Sequence, residues 1–249
     1  MGFLDDAIMA ARKRVETERA MVEPGDMRRA IEEDNEDGRL GLIAEYKRMS
    51  PSGVINLSID PWTYFSSLRD SVTGFSVLAE PIYFGGNYIF VKAAAATGRP
   101  VLFKDFVVDK HQIDVARSLG ASAVLIIYRA LGREERSSLI NYAHGRGLQV
   151  LLEVDNASDA AAALDEFPGE LLGVNSRNLD NLSLSLESVV EVIRGIRGRA
   201  DLIIAESGVS SRLDAEKLAG AGANAVLVGT AIMRDPRLAR ELRGVRIHG

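Results

Sequence analysis

Eight short apolar runs, 22 to 33 residues apart, constrain this chain more than any other feature. They begin near Leu42, Phe75, Val101, Ala123, Gln149, Leu171, Leu202 and Ala225. Short apolar runs bounded by turn residues predict buried strands. Between them lie stretches with helical spacing. Asp109 to Leu119 opens on an N-cap residue and places Ile113, Ala116 and Leu119 on one side. Leu186 to Ile196 turns Val189, Val190, Ile193 and Ile196 inward. Gly98, Gly120, Gly147 and Gly222 stand where helices should end before the next strand. Eight strands alternating with helices predict a parallel α/β fold, the (β/α)8 or TIM barrel. A doubly wound open sheet is the alternative, since alternation alone does not establish closure. Against it, no GxGxxG follows the first run.

The 249 residues, 47% hydrophobic, suffice for one large barrel or two smaller domains. No linker rich in Pro, Gly or Ser divides them, so a single domain over 1–249 is expected. Residues 1–40 form its helical N-terminal extension. There Phe3 to Glu18 aligns Leu4, Ile8, Ala11 and Val15, Pro24-Gly25-Asp26 breaks the chain, Met27 to Glu33 forms a second short helix, and Asn35 to Arg39 is a loop.

The absence of cysteine excludes disulfides, thiol nucleophiles and cysteine metal sites. His111, His144 and His248 are too scattered for a zinc-type spacing. A net charge of −5 without a basic stripe gives no sign of nucleic-acid binding. No run approaches a signal peptide or a membrane span, so a soluble cytoplasmic protein is expected. With 6 lysines against 24 arginines, a lysine at a special position carries information.

Polar residues close the strands at one end. The first strand, Leu42 to Tyr46, places Ile43, Glu45 and Lys47 on one face. The third ends in Lys104-Asp105, the fifth in Glu153, the sixth in Asn175-Ser176-Arg177, the seventh in Glu206-Ser207-Gly208 and the eighth in Gly229-Thr230. Barrel enzymes draw their catalytic groups from this rim. A belt of structural ion pairs is the competing explanation. The small residues after strands seven and eight suit a phosphate held by backbone N–H groups. Burial should raise a carboxyl pKa and lower an ammonium pKa, so Lys47 and Lys104 with Glu45 and Glu153 would divide acid and base work near neutrality. A Schiff-base lysine remains open.

IAEYKRMSPSG (43–53), EPIYFGG (80–86), FKDFVVD (103–109), Glu153 after two leucines, GVNSRNL (173–179), AESGVS (205–210) and VGTAIMR (228–234) together resemble the indole-3-glycerol phosphate synthase family. The resemblance spans nearly the whole chain. It implies a (β/α)8 lyase that converts 1-(2-carboxyphenylamino)-1-deoxyribulose 5-phosphate to indole-3-glycerol phosphate, with loss of carbon dioxide and water and with no metal or organic cofactor. It further implies that Lys104 is the general acid, Glu153 the second acid/base carboxyl, and Lys47 a catalytic lysine that also reaches the substrate's anionic groups. Glu45, Asn175, Ser176 and Arg177 would bind or orient those groups. Ser50 would lie near the anthranilate ring, and Ser207, Gly208, Gly229 and Thr230 at the phosphate with Glu206 beside them. The chain departs from the family at Phe103 and Asn178.

Phe84 and Phe106 are read as walls of an aromatic pocket. Trp62 and Phe65 are read as core, His111 as a solvated or capping residue, and Arg234 to Arg246 as a solvated final helix. A phosphoribosylanthranilate isomerase needs a cysteine base that this chain lacks, and a binding barrel with lost activity would have no use for Lys104 and Glu153. The expected partner is a small sugar-phosphate anthranilate, acted on by a monomer or weak homo-oligomer without nucleic acid or membrane.

Overall fold

The computed structural model describes residues 7–9, 12, 24–175 and 185–247. Eight parallel strands close into a barrel: β1 (Gly41–Tyr46), β2 (Gly74–Leu78), β3 (Val101–Lys104), β4 (Ala123–Ile127), β5 (Gln149–Val154), β6 (Leu171–Asn175), β7 (Ile203–Glu206) and β8 (Ala225–Val228). Neighbours in sequence are neighbours in space, and β1 pairs with β8 to complete the ring. The open-sheet alternative is thereby excluded. Strand starts lie within one residue of those read from the apolar runs.

The helices follow the same order. They are α1 (Met27–Glu36), α2 (Pro61–Leu68), α3 (Tyr88–Ala95), α4 (Lys110–Ser118), α5 (Arg133–Gly145), α6 (Ala157–Glu166), α7 (Leu186–Ile196), α8 (Arg212–Ala221), α9 (Thr230–Arg234) and α10 (Leu238–Arg243). Most of their starts are capped by side chains that accept backbone N–H groups: Asp109 takes that of His111 and Ser211 that of Asp214. Gly222 ends α8 with φ 117°, a conformation that L side chains rarely adopt.

Strand alternation sorts the side chains. Leu42, Ala44, Val101, Phe103, Val150 and Leu152 pack outward against the helices, while Ile43, Leu102, Leu125, Leu151, Leu171, Ile204 and Leu227 fill the interior. Phe103, one of the two departures from the family pattern, is therefore a core residue. Asn178 lies outside the described residues. The interior parity also contains Glu45, Lys104, Glu153, Asn175 and Glu206, so continuing the apolar layers upward forces these polar groups into one space.

Below that space, Met27 and Ile31 of α1 join the interior cluster and close the barrel. The Gln149 side-chain oxygen accepts from the N–H groups of Met27 and Arg28 at 2.9 and 3.2 Å, fixing the helix to the foot of β5. Buried Asp34 accepts from Arg243 Nη2 at 2.6 Å and from Thr73 Oγ1 at 2.5 Å, tying α1 to α10 and to the chain entering β2.

Three expectations need correction. The helix from Met27 runs to Glu36, so Asn35 is helical; its amide donates to the carbonyls of Arg39 and Asn224. Phe65 is core, packed edge-on against Phe75 at 5.0 Å, but Trp62 is 50% exposed because it occupies the outward face of α2. The final helix is not merely solvated, since Ala239 and Leu242 are buried and Arg243 holds Asp34. Most of Phe3 to Glu18 lies outside the described residues.

Candidate active site

The mouth of the barrel opens into two adjoining chambers, of about 330 and about 500 Å³. Glu45, Lys47, Ser50 and Ser207 line both, so the chambers communicate. The first is the drier. Phe84, Phe106, Leu78, Leu125 and Ile127 form its apolar walls around Lys104, Glu153 and Asn175. The rings of Phe84 and Phe106 lie 6.3 Å apart, and Lys47 Nζ sits 5.1 Å from the Phe84 centroid. The second chamber is bounded by Ser207, Gly208, Ser210, Gly229, Thr230 and Arg234. Ser207 has φ 65°, unusual for a residue with a side chain, and Gly208 follows with φ 78°. Such strain collects where a backbone must meet a ligand.

Lys104 is the electrostatic centre. Its Nζ lies 2.7 Å from Glu206 Oε2 and 3.3 Å from Glu45 Oε2. Lys47 Nζ reaches Glu45 Oε1 at 3.7 Å, and Ser76 donates to Glu45 Oε2 at 3.3 Å. Burial alone would release the Lys104 proton, but Glu206, Glu45 and Glu153 outweigh it and hold the ammonium charged. Burial would likewise raise the Glu45 carboxyl, and Lys104 and Lys47 hold it below its usual range. Glu153 goes the other way. Burial and the neighbouring Glu206 charge push it up to about 8, against the pull of Lys104 and the Asn175 amide. With Glu153 protonated, the Glu45 and Glu206 carboxylates balance the Lys47 and Lys104 ammoniums. The expectation that burial brings both lysine and glutamate toward neutrality thus holds for Glu153 and fails for Lys104 and Glu45, which are paired.

Of the residues singled out in sequence, Lys104, Glu153, Lys47, Glu45, Asn175, Ser50, Phe84, Phe106 and Ser207 line the first chamber. Gly208, Gly229 and Thr230 line the second with Ser207. Glu206, expected beside the phosphate, lines neither chamber: it is fully buried beneath Lys104, because the parity of β7 turns it into the barrel. Ser176 and Arg177 lie outside the described residues. His111 is exposed at the start of α4, where its N–H reaches the Asp109 cap.

Glu80 was missed. Its carboxylate accepts the N–H groups of Ile82, Tyr83 and Phe84 at 2.7, 2.7 and 3.1 Å, and so builds the loop that carries Phe84 into the chamber. The Glu-Pro step after β2 was the available signal. Arg234 was also missed as a cation that joins Lys47 in the second chamber, although it ends the VGTAIMR segment. Leu125 and Ile127 could have been found from the interior parity of β4.

The family profile of indole-3-glycerol phosphate synthase matches residues 6–245. A protein of Pyrobaculum arsenaticum named indole-3-glycerol phosphate synthase is 48% identical over 83% of this chain and 82% of its own length. One of Pyrobaculum neutrophilum with the same name is 43% identical over 96% of each chain. Among solved structures, a tryptophan synthase chain of M. tuberculosis superposes with a TM-score of 0.67 at 15% identity, over 91% of this chain and all of the other, a likeness of fold alone.

Proposed function

The chain belongs to the indole-3-glycerol phosphate synthase family and carries its lyase activity, and from that premise we propose how its two chambers divide the reaction. The anthranilate ring of 1-(2-carboxyphenylamino)-1-deoxyribulose 5-phosphate lies between Phe84, Phe106, Leu125 and Ile127. The phosphate occupies the second chamber, against Ser207, Gly208, Gly229, Thr230 and Arg234. Lys47, at the shared boundary, meets the substrate's anionic groups, and Ser50 closes on the ring. Anchoring both ends holds the ring carbon against the carbonyl it attacks.

Ring closure forms a carbon–carbon bond and places negative charge on the carbonyl oxygen. Lys104, kept charged by Glu206 and Glu45, protonates that oxygen. Carbon dioxide then leaves the ring carbon, and its bonding electrons restore aromaticity. The new hydroxyl must depart as water, which takes a second proton. Glu153, protonated at neutral pH and held by Asn175, supplies it, and the neighbouring ring carbon then gives up its own proton to the carboxylate left behind, which completes the double bond. The observation that carries this reading is the convergence of Lys104, Glu153, Glu45 and Asn175 in one cavity walled by Phe84, Phe106, Leu125 and Ile127. Burial and the Glu206 charge, which raise Glu153, suit a proton donor better than a member of an ion-pair belt.

The test is indole fluorescence from purified protein mixed with the substrate, with Lys104→Ala in parallel. Product from the wild type and none from the variant is the expected result. An active variant would move the acid role to another group, and an inert wild type that binds substrate would sink the lyase reading. The protein acts on a small molecule, and among the described residues no helix is long and apolar enough to cross a membrane. A cytoplasmic monomer or weak homo-oligomer acting without nucleic acid fits the acidic composition, and light scattering on the purified chain tests the oligomeric part.

A further inference from the structure

Gly173 occupies an interior position of β6, where strand alternation would place a side chain between two carboxyl groups. It is the register partner of Glu153 on β5, and two residues on, Asn175 is the partner of Glu206 on β7. A Cβ added at Gly173 would lie 2.3 Å from Glu206 Oε1 and 3.3 Å from Leu151 Cδ1. The missing side chain therefore makes the gap that the Glu206 carboxylate fills. One oxygen of that carboxylate is accounted for by Lys104 at 2.7 Å. The other, Oε1, is buried and receives no hydrogen bond from the described residues. Buried carboxylate oxygens are seldom left so. Glu153 stands across from Gly173 on β5, and Glu206 raises it both as a neighbouring charge and as a hydrogen-bond partner; two ionised carboxylates would not settle there together.

We infer that Gly173 is a positioning residue whose notch lets Glu206 span Lys104 and Glu153, so that the two carboxyl groups share one proton, carried on Glu153 and donated to Glu206. Glu206 is then the link between the acid of the ring closure and the acid of the dehydration. Among the described residues, the charges that act on Glu153 are Lys104 from β3 and Glu206 from β7; Glu45, Lys47, Glu80 and Asp105 line the same chamber, and β4 brings the apolar Leu125 and Ile127 to it. The inference rests on the proposed division of labour for its catalytic meaning, but the shared proton itself is readable without substrate.

Gly173→Ala tests the notch, since the displaced atom is the far end of a flexible side chain and the barrel need not change. Glu206→Gln tests the partner while keeping its shape. The carbonyl stretch of a protonated buried carboxyl, assigned by its loss in Glu153→Gln, is followed by infrared spectroscopy from pH 5 to pH 10. In the wild type the band should persist through neutrality and vanish near pH 8, where Glu153 ionises. In both variants the midpoint should fall by about one pH unit or more, because burial alone then opposes Lys104 and Asn175 at Glu153. The alkaline limb of kcat/KM, which reports the free enzyme, should move the same way with little change in KM. An unchanged midpoint in either folded variant, or no such band at neutral pH in the wild type, overturns the inference. A band that behaves as expected in a protein inert toward substrate would instead overturn the catalytic reading and leave the shared proton standing.

Discussion

Lys104→Met keeps the length and apolar stem of the side chain and removes only its charge. The Glu206 and Glu45 carboxylates, at 2.7 and 3.3 Å, then lose their common partner, leaving Lys47 as the remaining cation of the cluster. The least costly response is uptake of one proton. Protonating a carboxyl whose ordinary pKa is 4.5 costs about 1.4 kcal/mol for each pH unit above that value, hence about 3.4 kcal/mol at pH 7 and about 0.7 kcal/mol at pH 5. The first figure falls in the range of about 3–5 kcal/mol for breaking a buried pair from one side. For a domain of this size about 3.4 kcal/mol lowers Tm by roughly 7–14 °C, and about 0.7 kcal/mol by roughly 1–3 °C. The sign follows from proton binding: in the variant the folded carboxyl is raised above its unfolded value, so the folded state holds more protons. Stability is then lost as pH rises from about 4.5 toward the raised value. Wild-type Lys104 is held charged across this window and adds no such slope. Thermal melts by circular dichroism at pH 5 and pH 7, wild type against variant, read the difference. A Tm loss equal at the two pH values, or one below about 3 °C at pH 7, would refute the assignment of Lys104 as the cluster's necessary cation.

Glu153→Gln should lower kcat by about 10²- to 10⁴-fold, the usual contribution of a positioned acid, while isothermal titration with a phosphate-bearing substrate analogue shows affinity within a few-fold of wild type. Glu80→Ala leaves three N–H groups of the Phe84 loop without their acceptor. At about 1–3 kcal/mol for an unmade buried hydrogen bond, KM should rise roughly 5- to 100-fold with a smaller change in kcat, and Glu80→Gln should recover part of it. Arg243→Ala removes one of the two arginines that hold buried Asp34, leaving Arg39 at 3.3 Å, and should cost about 1.5–3 kcal/mol of stability, the worth of a hydrogen bond to a charged group, in a denaturant titration, with kcat unchanged in the molecules that remain folded.

The architecture was legible because one rule, period two in the strands, governs both the core and the site. Extending Leu102 by two residues gives Lys104, extending Leu151 gives Glu153, and extending Ile204 gives Glu206. Each apolar run therefore announces where its polar end points. What could not be read is whatever depends on several strands meeting. The ionisation of Lys104 is decided by carboxylates from β1, β5 and β7, and no local stretch contains that sum. Glu206 was expected beside a phosphate with the small residues that follow it, because the strand parity that turns it inward beneath Lys104 was not applied to it. Glu80 escaped because its partners are backbone groups of the next few residues, which carry no mark in the sequence. Trp62 was read from its spacing of three before Phe65, but the buried face of α2 centres on Tyr64, Phe65 and Leu68 and leaves Trp62 at its exposed flank.

The clasp between Asp34 and Arg243 has a consequence for how the molecule is born. The two residues are 209 positions apart, and β1, the first strand made, finds one of its two neighbours in β8, the last. A ribosome extends the chain from its N-terminus, so the edge of β1 emerges long before β8 can pair with it, and Asp34, which Arg39 reaches at 3.3 Å, long before Arg243. Until β8 is made, β1 has only β2 as a neighbour in the barrel. The strand that seals the ring and the second arginine that holds Asp34 arrive close together, within residues 225–243.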